Sequence, residues 1–143
     1  MKFSRAAYFA TAAVSQVQGS PVARADNPPY FVLVGDSTVA VNGGWGDGFL
    51  PILQSSAAGV NSGKSGATTV SYRAAGLWNE VIDNVKTHSK DYRPIVTIQF
   101  GHNDQKAEAG ISLDQFRTNL QNMANDVTSA GGIPVGYFCC APL

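Results

Sequence analysis

The sequence predicts an α/β domain of three layers, a parallel sheet with helices on both faces. Three observations predict it. Residues 30–35 (YFVLVG) and 94–100 (PIVTIQF) are short, continuously apolar and rich in β-branched side chains, as in strands buried on both faces. Residues 77–88 and 113–127 place their apolar side chains at steps of three and four, as in amphipathic helices. Strands that alternate with helices build a parallel sheet, because each parallel connection needs a crossover.

The bulk composition agrees and narrows the partners. A chain of 143 residues is one domain by size, and 44% apolar residues can fill one core. Ten Lys and Arg balance ten Asp and Glu, so no basic field exists to hold nucleic acid or a membrane surface. Charged residues are 14%, below the usual quarter, and Gly is abundant at 15. That balance suits a loop-rich extracellular domain.

In order along the chain, residues 1–19 read as a secretory signal. Lys2 and Arg5 form its positive start, residues 6–14 (AAYFATAAV) its apolar run, and cleavage is expected after Gly19. Ala23-Arg24-Ala25 offers a second cleavage pattern. Secretion follows as an expectation. No apolar run approaches the ~18 residues of a membrane span. Residues 20–29, with three prolines and no apolar period, read as a leader, and residues 30–143 as the domain.

Residues 30–35 are the first strand. A glycine-rich loop over residues 43–46 leads to a helix expected over residues 47–58, with Phe49, Ile52 and Leu53 on one side. A faint strand is expected at residues 59–62, then an ordered loop over residues 66–76. The helix over residues 77–88 and the strand over residues 94–100 follow. Ser112 and Gln115 fit a capping box before the helix carrying Leu113, Phe116, Leu120, Met123 and Val127. Gly131 and Gly132 end that helix, and Ile133-Pro134-Val135 starts a further strand. The cysteines, Cys139 and Cys140, are adjacent and suggest neither a metal site nor a mutual bridge.

Ligands of parallel sheets bind beyond the carboxyl ends of the strands. Asp36-Ser37-Thr38 and His102-Asn103-Asp104 stand at two such ends. Ser37 therefore has the position of a nucleophile. Gly66, in a loop after the faint strand, can present a backbone N–H with no side chain in the way. Asn103 offers a side-chain amide. A nucleophile and two fixed donors are what acyl transfer needs, one to attack and the others to hold the developing oxyanion. Each residue alone also reads as ordinary turn chemistry. The combination is what carries the assignment.

The segments Gly35-Asp36-Ser37-Thr38, Asn61 through Gly66, and Gly101-His102-Asn103-Asp104 resemble blocks I, II and III of the SGNH (GDSL) hydrolases. The longer stretches VGDSTVAVNGGWGDGFL, GATTVSYRAAGLW and VTIQFGHNDQK look most like the rhamnogalacturonan acetylesterase-like branch. The resemblance runs from about Tyr30 to Pro134. It implies a flavodoxin-like sheet and an esterase, with Ser37 as nucleophile and first oxyanion donor through its N–H. Gly66 N–H and the Asn103 amide would be the other donors, and Asp36 and Asp104 would support the loops. It implies no metal and no organic cofactor. The substrate would be an acetyl or similar small ester on a plant cell-wall polysaccharide such as pectin, taken by a monomer.

Block I reads GDST rather than GDSL, a variation found in that branch. The family also carries an Asp-x-x-His near its C-terminus, and none occurs before Leu143. The expectation is thus a truncated product lacking its last strand and helix, its general base His and that base's Asp partner, and so impaired. Of the two histidines, His102 is expected to pack behind its loop and His88 to sit solvated at a helix end.

Two other readings compete. A non-catalytic carbohydrate-binding remnant would use Trp45, Tyr72 and Trp78 as sugar platforms, against the commoner packing role of such aromatics. Residues 58–65 (AGVNSGKS) fit a relaxed phosphate loop ending in Gly63-Lys64-Ser65. A phosphate loop follows a strand and opens a helix. Here a helix is expected before it, and the segment 67–70 (ATTV) after it, with three β-branched residues, is poor helix material.

Overall fold

The computed structural model describes residues 27–136. The expected signal, most of the leader, Cys139 and Cys140 lie outside the described residues.

The first apolar run forms β1 (Pro29–Gly35), whose residues Val32 to Val34 are fully buried. A strand apolar at consecutive positions must be covered on both faces and both edges. β1 accordingly pairs in parallel with β2 (Ala58–Asn61) on one side and β3 (Arg93–Gln99) on the other. β4 (Ile133–Gly136) then pairs in parallel with β3. The sheet order is β2-β1-β3-β4. This is an α/β fold on a parallel sheet, as the sequence predicts.

One face is packed by three helices: α2 (Thr69–Ala74), α3 (Leu77–His88) and α4 (Leu113–Ser129). Val32, Val34, Val96, Ile98 and Phe100 of the sheet side meet Trp78, Val81 and Val85 from α3 and Met123 and Val127 from α4. Burying each such aliphatic side chain contributes about 1.5–3 kcal/mol. Arg73 of α2 is bonded to Asp126 of α4 at 2.6 Å and lies over the Trp78 ring, while Trp78 Nε1 donates to the same carboxylate at 3.0 Å. Burial works to raise the Asp126 carboxyl. The hydrogen bonds from Arg73 and Trp78, with the Arg73 charge, outweigh it and hold it below the usual range.

The second face is covered, among the described residues, by the short α1 (Gly46–Phe49) and the 3₁₀ turn Leu50–Ile52. Phe49 packs edge-on against Phe31 and Trp45. Beyond them Phe31, Ile95, Thr97 and Val135 line an open apolar groove.

Two expected elements differ. The helix expected over residues 47–58 is cut to α1 and one 3₁₀ turn. Pro51 has no N–H to donate and its ring clashes with the carbonyl four residues back, so α-helix cannot run through it. β2 begins at Ala58, where helix was expected to end. The ordered loop expected over residues 66–76 contains α2. Thr68 and Ser71 form a reciprocal capping box there, which satisfies the first-turn donors despite the β-branched run.

Candidate active site

The strand order reverses direction between β1 and β3, and such a switch point opens a crevice at the carboxyl ends of the strands. The loops after β1, β2 and β3 meet on that rim. β1 ends at Gly35, where a Cβ would stand 2.4 Å from Gln99 O and 2.5 Å from Val39 Cγ2. Only glycine lets the two strand ends approach this closely, and Asp36 N then donates to Gln99 O at 3.3 Å.

The chain turns immediately. Asp36 is buried, and its Oδ1 accepts from Thr38 N and Thr38 Oγ1, both at 2.9 Å. Val39 N and Ala40 N donate back to Asp36 O. This tight turn leaves Ser37 exposed at its tip.

The loop after β2 is stitched to the first. Ser62 N donates to Leu33 O and Lys64 N to Gly35 O, each at 2.8 Å, continuing the parallel ladder past the strand. Asn61 Nδ2 donates to Val39 O at 2.8 Å, and its Oδ1 accepts from Gly63 N at 3.0 Å. The Tyr72 hydroxyl donates to Ser62 O at 2.6 Å, and burial, then Glu80, pushes that phenol upward. Gly66 follows, exposed and at φ +78°, a left-handed turn that a side chain would strain.

The third loop is joined to the second. Asn103 is 7% exposed, and its Nδ2 donates to Ala67 O at 3.1 Å. Its Oδ1 accepts from Lys106 Nζ at 2.9 Å. Asp104 is 2% exposed, and its Oδ1 accepts from Thr69 N at 2.9 Å and Thr69 Oγ1 at 2.5 Å. Asn119 of α4 donates to Thr69 Oγ1 at 2.9 Å.

The structure therefore brings the loops of Ser37, Gly66 and Asn103 to one rim, with Asp36 and Asp104 buried beneath as anchors. Sequence reasoning missed Lys106, Thr69 and Asn119. Lys106 follows the motif by three residues and could have drawn notice as a cation beside an amide. Nothing in the sequence pairs Thr69 with Asn119.

His88 is not a solvated residue. Its ring stacks on Tyr30 at 3.6 Å, and its Nδ1 meets Asn84 O at 2.8 Å. Tyr30 is the second residue of β1 and Ser37 lies just past its end, so the strand separates them by roughly 20 Å at ~3.3 Å per residue. His102 is exposed rather than packed behind its loop, because its neighbour Asn103 takes the inward position.

Tyr72 and Trp78, 1% and 3% exposed, are core residues and offer no sugar platform. Trp45 is half-buried and donates to Gln99 Oε1 at 2.6 Å. A strand does precede residues 62–66 and a helix does follow, contrary to expectation. The amides a phosphate would need are nonetheless committed, Ser62, Gly63 and Lys64 donating to Leu33 O, Asn61 Oδ1 and Gly35 O. Among the described residues no group of three His, Cys, Asp or Glu could hold a metal ion, and no helix is long and apolar enough to cross a membrane.

Fold and rim together define a class. The chain belongs to the GDSL-like lipase/acylhydrolase family, whose model matches residues 31–133. Among particular relatives, it is 31% identical over 115 residues to rhamnogalacturonan acetylesterase RhgT of Bacillus subtilis (strain 168), covering 76% of this chain and 47% of that protein. The chain thus spans about half the length of the curated relative it matches. Among solved structures it resembles protein YxiM of Bacillus subtilis, with a TM-score of 0.59, 21% identity, and coverage of 77% of this chain and 32% of that one. It also resembles the psychrotrophic esterase EstA from Pseudoalteromonas sp., in a structure inhibited by monoethylphosphonate. There the TM-score is 0.52 at 20% identity, covering 75% of this chain and 57% of that one. At these identities the two structures speak for the fold.

Proposed function

We propose that this chain carries the nucleophile and oxyanion donors of a secreted serine ester hydrolase that acts on an acetylated polysaccharide. The observation that carries the reading is Asn103. Its amide is buried, one N–H is held by Ala67 O beside Gly66, and the other N–H has no partner among the described residues. An amide carries two donors, and an unused one at a strand-end crevice is a pre-aimed site for developing negative charge. The name of the relative RhgT supports the acetylated polysaccharide as substrate class.

In this reading Ser37 Oγ attacks the ester carbonyl carbon. The carbonyl oxygen becomes an oxyanion, held by the N–H groups of Ser37 and Gly66 and the Asn103 amide. Collapse expels the sugar hydroxyl and leaves an acyl-serine, which water hydrolyses to free acid and Ser37. A base must take the Ser37 proton, and the leaving oxygen must receive one. His88 lies at the wrong end of β1, and His102 faces solvent. Neither histidine is therefore assigned as that base, and turnover by residues 1–143 is expected to be slow.

The test is hydrolysis of p-nitrophenyl acetate together with labelling by a phosphonate ester. Ser37→Ala should abolish both, and mass spectrometry should place the phosphonyl group on Ser37. Asn103→Ala should lower kcat by about 10²-fold, the effect of one oxyanion donor. Labelling at another residue, or turnover indifferent to Ser37→Ala, would overturn the reading.

A further inference from the structure

We propose that Lys106 is a positioning residue for the oxyanion site, acting through Asn103; this rests on the esterase reading above. An asparagine amide can face its site with either N–H or oxygen, and the wrong face would repel an oxyanion. In this loop the chemistry permits one answer. The Lys106 ammonium only donates, so it fixes Oδ1 on its side at 2.9 Å. Ala67 O only accepts, so it fixes Nδ2 on the other side at 3.1 Å. The remaining N–H then has one direction, away from both.

The cation does a second thing. A charge-assisted hydrogen bond on the carbonyl oxygen draws electron density out of the amide, so the N–H becomes a stronger donor. The gain grows as the oxyanion forms, and it therefore acts on kcat more than on KM. The position of Lys106 is itself built by the loop. Its N–H donates to Asn103 O at 3.2 Å, and its carbonyl accepts from Ala109 N at 2.9 Å, at the turn Ala107–Ala109. The ammonium is thereby returned to the residue three positions earlier.

The experiment uses the full chain, with p-nitrophenyl acetate kinetics and side-chain amide NMR. Lys106→Met should lower kcat by about tenfold, part of the 10²–10³ that a whole oxyanion donor supplies, with KM within about twofold. Lys106→Arg, which keeps charge and donor, should recover most of the rate. In the ¹H–¹⁵N spectrum, Lys106→Met should move the Asn103 amide pair, while Lys106→Arg leaves it near its original position. A Lys106→Met kcat within twofold of the parent, while Ser37→Ala abolishes turnover, defeats the Lys106 assignment and spares the esterase reading. Turnover untouched by Ser37→Ala defeats both. Where turnover is too slow to measure, the NMR arm decides: an Asn103 pair unmoved by Lys106→Met overturns the inference.

Discussion

The Asp104 anchor gives the sharpest stability prediction. Its Oδ1 accepts two hydrogen bonds, from the N–H and the hydroxyl of Thr69, a fully buried residue. Its Oδ2 is buried and has no partner among the described residues. Asp104→Ala removes both bonds and strands the Thr69 N–H at the first turn of α2. Bonds to a charged acceptor contribute about 1.5 kcal/mol or more each, so the loss is about 3 kcal/mol. For a domain of this size that lowers Tm by roughly 12 °C. Asp104→Asn keeps an oxygen where Thr69 needs one and puts NH₂ where Oδ2 accepts nothing. Its cost should be about 1 kcal/mol. Urea unfolding followed by circular dichroism measures both. Equal losses in the two variants, or an Asp104→Ala loss under about 0.5 kcal/mol, would refute the reasoning that one oxygen carries the anchor.

Gly35→Ala places a methyl against Gln99 O and Val39 Cγ2, and should cost about 3 kcal/mol by forcing β1 and β3 apart, visible as a lowered urea midpoint. Thr97→Val should be neutral or stabilising by about 1 kcal/mol, since the Thr97 hydroxyl is buried without a partner among the described residues; a large loss would reveal a partner. The Arg73–Asp126 bridge should matter at neutral pH and fade in acid. Asp126 is held below its usual range, so its contribution is present above the unfolded value and lost as pH falls through the folded one. The Tm gap between the parent and Arg73→Met should shrink from pH 7 towards about pH 2, and both side chains are over a third exposed, so it corresponds to under about 1 kcal/mol. Ser37→Ala, at an exposed turn tip, should abolish turnover while leaving Tm within about 2 °C, a test of function separated from folding.

Much of the fold was legible because its signals are local. α3 and α4 follow apolar repeats of three and four residues, and Ser112 Oγ accepts from Gln115 N at 3.2 Å, one half of the expected capping box. β1 and β3 follow from β-branched runs. The failures have particular causes. Apolar spacing alone overextends α1, because it carries no sign of the break that Pro51 imposes. α2 escapes local signals because six residues that open on β-branched Thr69 and Val70 have little helix tendency of their own. Its start is held by the Thr68–Ser71 capping box and by Asp104, 35 residues away, which accepts from Thr69 N and Oγ1.

The candidate site divides in the same way. Ser37, Gly66 and Asn103 could be named from sequence because each follows a strand end, a position fixed by neighbouring residues. Lys106, Thr69 and Asn119 could not be given their parts, since Asn119 meets Thr69 across 50 residues.

By itself the sequence determined the strands, the two long helices and which residue types stand at the strand ends, because periodicity, caps and breakers act over three or four neighbours. Tertiary structure decided that the three loops share one rim, that His88 stands at the far end of β1, and which way the Asn103 amide faces. Those outcomes depend on hydrogen bonds between segments tens of residues apart, and such bonds form only once the sheet has brought the segments together.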